Sequence, residues 1–316
     1  MFQAATSLDD LEIAIIKTIS FFDVLDWPLT ADEVRKNLWR KRSSLIEVEQ
    51  ALVRLNGKIE SLEGFYFLPG RQVLVAERKK AYIRSWHKIK AAMRITKLLR
   101  YVPGVRLVAI CNSVAIGNLK PQSDIDLFVI TARRRIWLTR LLVTAVVQAS
   151  GLRRHGKLVR NRVCLSFYVS EEDMGLKKVT LESDPYFCYW LASLFVIYDF
   201  ADSASKLRES NGWLYDNLPN ASEVRPARRL TVNNYIANRL GDKLISSALF
   251  DVFESWSRFF QLKKMHKNKP NHQAQGTAVV ISDTMLKFHE EDRREYFASE
   301  WQGRINMVIP GYEKQI

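Results

Sequence analysis

The 316-residue chain predicts a mixed α/β fold, with a small α/β core lying between a helical N-terminal region and a helical C-terminal one. Three observations predict it. Apolar residues recur at helical spacing before residue 100. Three short apolar runs, at 105–110, 125–131 and 163–169, then alternate with a helical pattern. From Asp184 onward the pattern is helical again. An apolar content of 47%, a mean hydropathy of −0.16, eight Trp and sixteen Phe describe a globular chain and exclude disorder. The length suits two or three domains.

Leu8, Leu11, Ile15, Ile16, Ile19, Phe22 and Leu25 fall on one helical face. Ser7 and Asp10 are expected to cap this helix, and Trp27-Pro28 to end it. Thr30 with Glu33 opens a second helix through about Leu38, and Ser44 with Glu47 a third that Gly57 stops. Lys58 to Leu62 and Phe65 to Leu68 read as two strands turned at Glu63-Gly64. Three helices followed by a hairpin resemble the winged-helix family across residues 8–70. In that family the third helix often enters the major groove. Here its only basic residue is Arg54, beside Glu47 and Glu49, while Arg35, Lys36, Arg40, Lys41 and Arg42 cluster just before it. Phosphate contact, protein interaction and a purely structural role all remain open for residues 1–75.

Residues 76–102 read as a basic connecting helix. Tyr82, Ile83, Trp86, Ile89, Met93 and Leu98 are expected on its apolar side, and Arg78, Lys79, Lys80, Arg84, Lys88, Lys90, Arg94, Lys97 and Arg100 on a face that is either solvated or tracks a nucleic-acid backbone. Pro103-Gly104 breaks it. Residues 103–180 form the expected α/β core: strand Val105–Ile110, a turn, strand Ile125–Thr131, a helix from Arg135 to Ala149, and strand Val163–Val169, with Glu171 to Asp173 starting the next helix. Residues 181–316 form the expected helical C-terminal domain. Tyr186–Tyr198 is apolar nearly all round and should be buried. A long helix is expected over Val232–Met265, linker composition over Lys267–Gly276, a last helix capped by Ser282 or Asp283, and a loose tail after Pro310.

The net charge is +14. The excess lies in the first 180 residues, because residues 181–316 hold 17 basic and 17 acidic side chains. Such an excess suits an anionic partner, RNA, DNA or a nucleoside triphosphate, or else a generally basic surface. Cys111, Cys164 and Cys188 lack paired spacing and read as small core residues of a reducing compartment. Met1–Asp10 has no signal-peptide pattern, and the most apolar runs fall short of the roughly 18–20 residues that span a bilayer. A cytoplasmic protein without a membrane partner is expected. His266, His272 and His289 lack metal-ligand spacing, and no P-loop, nucleophile elbow, dinucleotide fingerprint or internal repeat is present.

The chemistry concentrates in residues 112–130. Ser113 and Gly117 form a Ser-x-x-x-Gly turn, and Ser123-Asp124-Ile125-Asp126-Leu127 then runs into an apolar strand. Carboxylates two residues apart on a strand share a face. Without a nearby His cluster, such a pair suits hard, oxygen-seeking cations rather than zinc. This run resembles the DNA polymerase β-like nucleotidyltransferase superfamily, and most closely its small prokaryotic domains, over about residues 100–175.

The resemblance implies an α/β (α+β) nucleotidyltransferase core carrying an N-terminal winged helix and a helical C-terminal domain. It implies that Asp124 and Asp126 hold two Mg²⁺ ions and act in catalysis. Asn112, Ser113, Gly117 and Ser123 would bind ATP or another nucleoside triphosphate. The implied reaction moves a nucleoside monophosphate to an acceptor: a nucleic-acid end, a protein or a small molecule. The chain departs from the family twice. Asn112 stands where the family usually has Gly, although Asn tolerates left-handed backbone angles better than most residues. The strand that usually carries a third carboxylate, Arg162 to Val169, has none, and Ser166 is expected in its place. These departures keep a second reading open, a catalytically degenerate module that binds nucleic acid or regulates. Arg133, Arg134 and Arg135, and the basic loop of Arg153, Arg154, His155, Lys157, Arg160 and Arg162, are further candidates for anion contact.

Overall fold

The computed structural model describes residues 8–119, 122–154, 159–182, 184–221, 241, 245–268, 276–289 and 292–312. The fold is mixed α/β. Three capped helices open it: α1 (Asp10–Val24), α2 (Ala31–Lys36) and α3 (Leu45–Arg54). Thr30/Glu33 and Ser44/Glu47 form reciprocal capping boxes. The cap of α1 is Asp9 rather than the expected Ser7–Asp10 pair: the Asp9 carboxylate accepts from the Glu12 amide at 2.8 Å, and Glu12 accepts from the Asp9 amide at 3.1 Å. Ser7 lies outside the described residues. Strands β1 (Leu29–Thr30), β2 (Glu60–Leu62) and β3 (Phe65–Phe67) pair antiparallel in the order β1-β3-β2. Glu63 and Gly64, with φ of 52° and 79°, make the tight turn between β2 and β3.

Helix α4 (Val73–Leu99) is turned over relative to expectation. Ala81, Ser85, Lys88, Ala92, Ile95 and Leu99, spaced four, three, four, three and four apart, form its buried face, while Tyr82, Ile83 and Leu98 are exposed. Small residues at 81, 85 and 92 let the helix approach closely. Its large apolar residues would hold it off. Many of its cations are also engaged within the chain. Arg78 pairs with Glu33 at 2.7 Å, Lys79 with Glu63, and Lys80 with Glu77 at 2.9 Å.

The central sheet is built from β4 (Val105–Ile110), β5 (Ile125–Thr131), β6 (Val163–Ser170), β7 (Phe195–Asp199), β8 (Val279–Ile281) and β9 (Met285–Phe288), in the order β7-β4-β5-β6-β9-β8. Only β5 and β6 run parallel; the other neighbours are antiparallel. Between these strands lie α5 (Asn112–Ile116), α6 (Ile136–Ala149), α7 (Pro185–Ala192), α8 (Ser203–Glu209), α9 (Leu214–Asn217) and α10 (Ala248–Asn268), and α11 (Arg294–Val308) follows β9.

The C-terminal region is therefore not purely helical, since it adds three strands to the sheet. Tyr186–Tyr198 splits into α7 and β7, because the β-branched and aromatic run Phe195–Tyr198 pairs with the free edge of β4. Ser282 does not cap a helix. Its hydroxyl accepts from the Met285 amide at 2.9 Å and closes the β8–β9 turn. Glu171–Asp173 form a turn, in which Glu171 pairs with Arg106 at 3.1 Å. The expected helix over Val232–Met265 is described from residue 248. Most of its earlier part, residues 269–275 of the expected linker, and residues 313–316 lie outside the described residues, while Lys267 and Asn268 of that linker belong to α10.

Apolar residues cover both faces of the sheet. One face, with Leu107, Ala109, Phe128, Ile130, Phe167 and Val169, meets α7, α11 and the N-terminal helices in one continuous core. The other, with Val108, Leu127, Val129 and Tyr168, meets α4 and α6. Among the described residues, no helix is long and apolar enough to cross a membrane.

Candidate functional site

Strands β4 and β5 are apolar apart from Arg106, Asp126 and Thr131 and are buried over nearly their whole length, so they place the loop between them firmly. The Cys111 amide donates to the Asp126 carbonyl at 3.1 Å, and the Ile125 amide to the Arg162 carbonyl at 2.8 Å. Asp126 is thereby fixed from both sides, with Asp124 just ahead of the strand. Asn112 has φ of 58°, a left-handed conformation, and begins the short α5. Gly117 ends it at φ of 83°, where an added Cβ would lie 3.4 Å from the Trp27 ring. Helix α4 straps the rest of the loop. Ser85 donates to the Gly117 carbonyl at 2.8 Å, Arg84 to the Leu119 carbonyl at 2.9 Å, and Lys88 to the Ser123 carbonyl.

Asp124, Asp126 and Cys164 converge: one ligand atom from each lies within 4.8 Å of the other two. The third member of this cluster is Cys164, where Ser166 was expected. Cys164, not Ser166, is the register partner of Asp126, and the Ser166 hydroxyl lies 3.5 Å from His289 Nε2. Asp126 faces Cys164 but Phe128 faces Phe167, so β6 carries an extra residue there. Among the described residues, no third carboxylate joins the pair. Arg154 Nη1 lies 2.6 Å from the Asp124 carboxylate and 3.9 Å from Cys164 Sγ.

Burial, then the charge of Asp124, raises the Asp126 carboxyl above the usual carboxylate range; a hydrogen bond from the Asn112 side chain opposes this. Burial and the two carboxylates push the Cys164 thiol up to about 12, so it stays protonated at neutral pH. The set offers two hard oxygen donors and one protonated sulfur. Two close carboxylates that repel each other fit a hard divalent cation, which would relieve the repulsion, and a protonated thiol is not a ligand for it.

Two clefts meet at this point and share Asn112, Tyr186, Arg293 and Phe297. One, of about 450 Å³, is lined by Ser113, Ser123 and the rings of Tyr189 and Trp190. The other, of about 790 Å³, reaches Asp126, Cys164 and Ser166 and is rimmed by cations that include Arg140, Arg153 and Lys287. Burial, then the Arg294 charge, lowers the Lys287 ammonium to about 8; burial, then Lys287 and Arg294, lowers His289 to about 4.

Sequence reasoning missed Cys164 as a site group, Lys88 as a loop strap, and Lys287, His289 and Arg293 as cleft residues. Parity along β6 does not separate Cys164 from Ser166, which lie two residues apart; only the pairing with β5 does. Other candidates lie elsewhere. Arg133 to Arg135 follow the far end of β5: Arg133 pairs with Glu172 at 3.3 Å, and Arg135 with Asp251 at 2.7 Å. The anion at that helix N-terminus is Glu254, which accepts from the Trp137 and Leu138 amides at 2.8 Å each. In the N-terminal cluster, Arg35 and Lys36 pair with Asp32, and Lys41 with Asp10. His155, Lys157 and His272, and the side chain of His266, lie outside the described residues. No family model, curated protein or solved structure matches the chain.

Proposed function

We propose that the chain is a Mg²⁺-dependent nucleotidyltransferase of the DNA polymerase β-like type. The observation that carries the reading is the convergence of Asp124 and Asp126 where two clefts meet, beside the turn of Asn112 and Ser113. Asp124 and Asp126 would hold the metal, and Mg²⁺ bound there would neutralise the triphosphate and polarise its α-phosphorus. Asn112 orients Asp126 through its side-chain hydrogen bond, and Lys88 holds the Ser123 carbonyl so that Asp124 keeps its place. Ser113 and Ser123 face the cleft with the aromatic rings, which suits a nucleotide. An acceptor oxygen attacks the α-phosphorus, the α–β bridging P–O bond breaks, and pyrophosphate leaves. With no third carboxylate beside the pair, an acceptor whose oxygen is already ionised is favoured.

The N-terminal helices and small sheet are read as a winged helix with a supporting role. Arg54 of α3 is held by Glu12 at 2.7 Å and Asp9 at 2.9 Å, and the helix exposes Ile46 and Val53. A second reading, the degenerate binding module, is favoured by one observation: Arg154 sits on Asp124 where a metal would.

Calorimetry with ATP, GTP, CTP and UTP, with and without Mg²⁺, decides between them. The enzyme reading expects binding that needs the metal and disappears in Asp124→Asn with Asp126→Asn. Binding that ignores both metal and substitutions would sink it. The module reading instead expects salt-dependent nucleic-acid binding that survives those substitutions.

A further inference from the structure

The larger cleft opens where the sheet is incomplete. Strand β9 pairs with β6 only at Phe167, Tyr168 and Val169. At the end of β9 the His289 amide donates to the Ala278 carbonyl at 3.2 Å, continuing the pairing with β8, and residues 290–291 lie outside the described residues. Among the described residues, no strand covers Val163–Ser166 on that side, so a notch reaches in to Asp126 and Cys164.

The notch is strongly cationic. Arg140, Arg153, Arg154, Lys287, Arg293 and Arg294 line it, against the carboxylates of Asp126 and Asp292. Several of these charges are accounted for. Arg154 is on Asp124, Arg294 is on Asp184 at 3.0 Å and also on Asp292, and Lys287 donates to the Thr277 carbonyl at 2.6 Å. Arg140, Arg153 and Arg293 have no carboxylate ion pair among the described residues, and Arg140 donates from Nη1 to the Gln261 side-chain oxygen, which leaves its other nitrogens without an acceptor there. Arg140 lies against the Phe288 ring at 4.9 Å and the Tyr168 ring at 6.0 Å, and its buried Nε has no hydrogen-bond partner.

Thr144 stands one helical turn beyond Arg140, on the same face of α6 and in the same notch. Arg153 is brought there by its backbone bridge to Val163. Burial disfavours the charged form of Arg140, and the nearby charge of Arg153 adds to that. Two neighbouring guanidiniums with no carboxylate counter-ion among the described residues are costly in isolation, and an anion between them removes the cost.

We infer that the notch beside β6 is the acceptor subsite, and that it takes a phosphate-bearing acceptor held by the guanidiniums of Arg140 and Arg153 and the hydroxyl of Thr144. The acceptor role rests on the nucleotidyltransferase reading, in which the triphosphate occupies the Ser113 side and leaves the β6 side free. The anion class rests on the notch alone. Forked guanidiniums match the oxygens of a phosphate, and a hydroxyl adds a third donor. An ionised phosphate also suits a site without a base.

Calorimetric titration of the full chain with inorganic phosphate in EDTA, at physiological ionic strength, tests the site without the metal. The Asp124→Asn, Asp126→Asn variant removes the Asp126 carboxylate that faces the notch and frees Arg154, so it is expected to bind phosphate at least as tightly as the wild type. Arg153→Gln is expected to weaken binding about tenfold, as loss of one charge-assisted hydrogen bond does. Arg140→Lys keeps the charge, loses the fork and should weaken it as well. No phosphate binding by the wild type, equal binding by folded Arg153→Gln, or loss of binding in the double carboxylate variant overturns the site. Phosphate binding together with absent Mg²⁺-dependent nucleotide binding would instead remove the transferase reading and leave the anion site standing.

Discussion

In the proposed metal site Cys164 is the third group beside Asp124 and Asp126, and its protonated thiol would donate nothing to a hard cation. Cys164→Asp is therefore expected to have opposite effects with and without metal. Without it, a third buried carboxylate within 4.8 Å of two others adds like-charge repulsion, and melting temperature should fall. With Mg²⁺ the added oxygen ligand should reverse that fall and tighten metal affinity by about tenfold or more, the scale on which a site's supporting groups act. Thermal unfolding of both proteins with Mg²⁺ and with EDTA checks this; a variant indifferent to Mg²⁺ would show that the pair does not hold the ion. The carboxylate pair was legible in the sequence because side chains two apart on a strand share a face. The third position was not, because which residue of β6 faces Asp126 depends on how β5 and β6 pair across sequence-distant segments.

Elements whose signals are local could be read from the sequence, including the Thr30/Glu33 and Ser44/Glu47 helix starts, the Glu63-Gly64 turn, and the strands flanking the motif. Elements decided by partners could not. Helix α4 buries Ala81, Ser85 and Ala92 rather than its aromatic residues, because close approach to the loop at 117–123 matters more than apolar content there. Strands β7 and β9 form because β4 and β6 each offer an edge. Helix α6 shows the same principle at a terminus. It follows three arginines, and it is α10, far along the chain, that supplies the anion for its first turn through Glu254. Glu254→Ala strips the acceptor from two amides and should cost about 2–3 kcal/mol, while Glu254→Gln, which keeps an acceptor oxygen, should cost about 1 kcal/mol. Chemical denaturation measures both. Equal losses would mean that α10 matters there by packing and not by its charge.

At the scale of the molecule, many cations of the first 180 residues are in internal use, strapping loops or pairing across elements. The regions that read as separate in the sequence also share one core. Trp301 of α11 packs edge-on against Trp39 at 5.1 Å and donates its indole N–H to the Lys17 carbonyl at 2.7 Å. Tyr189 of α7 donates to the Asn37 carbonyl at 3.1 Å. The buried carboxylate of Asp23 in α1 accepts from Arg71 at 3.0 Å and from Arg304 of α11 at 2.8 Å. A residue such as Trp301 therefore stabilises the N-terminal helices and the sheet together, although nearly the whole chain separates it in sequence from α1. Trp301→Ala should cost about 3–5 kcal/mol, from lost burial, the cavity left behind and an orphaned carbonyl. The loss should fall on one transition, followed alike by far-ultraviolet circular dichroism and tryptophan fluorescence, since no boundary in this core lets the first seventy residues unfold alone. Two separated transitions in the wild type, with only the earlier one shifted by Trp301→Ala, would instead show the N-terminal region to be an independent unit docked on the sheet.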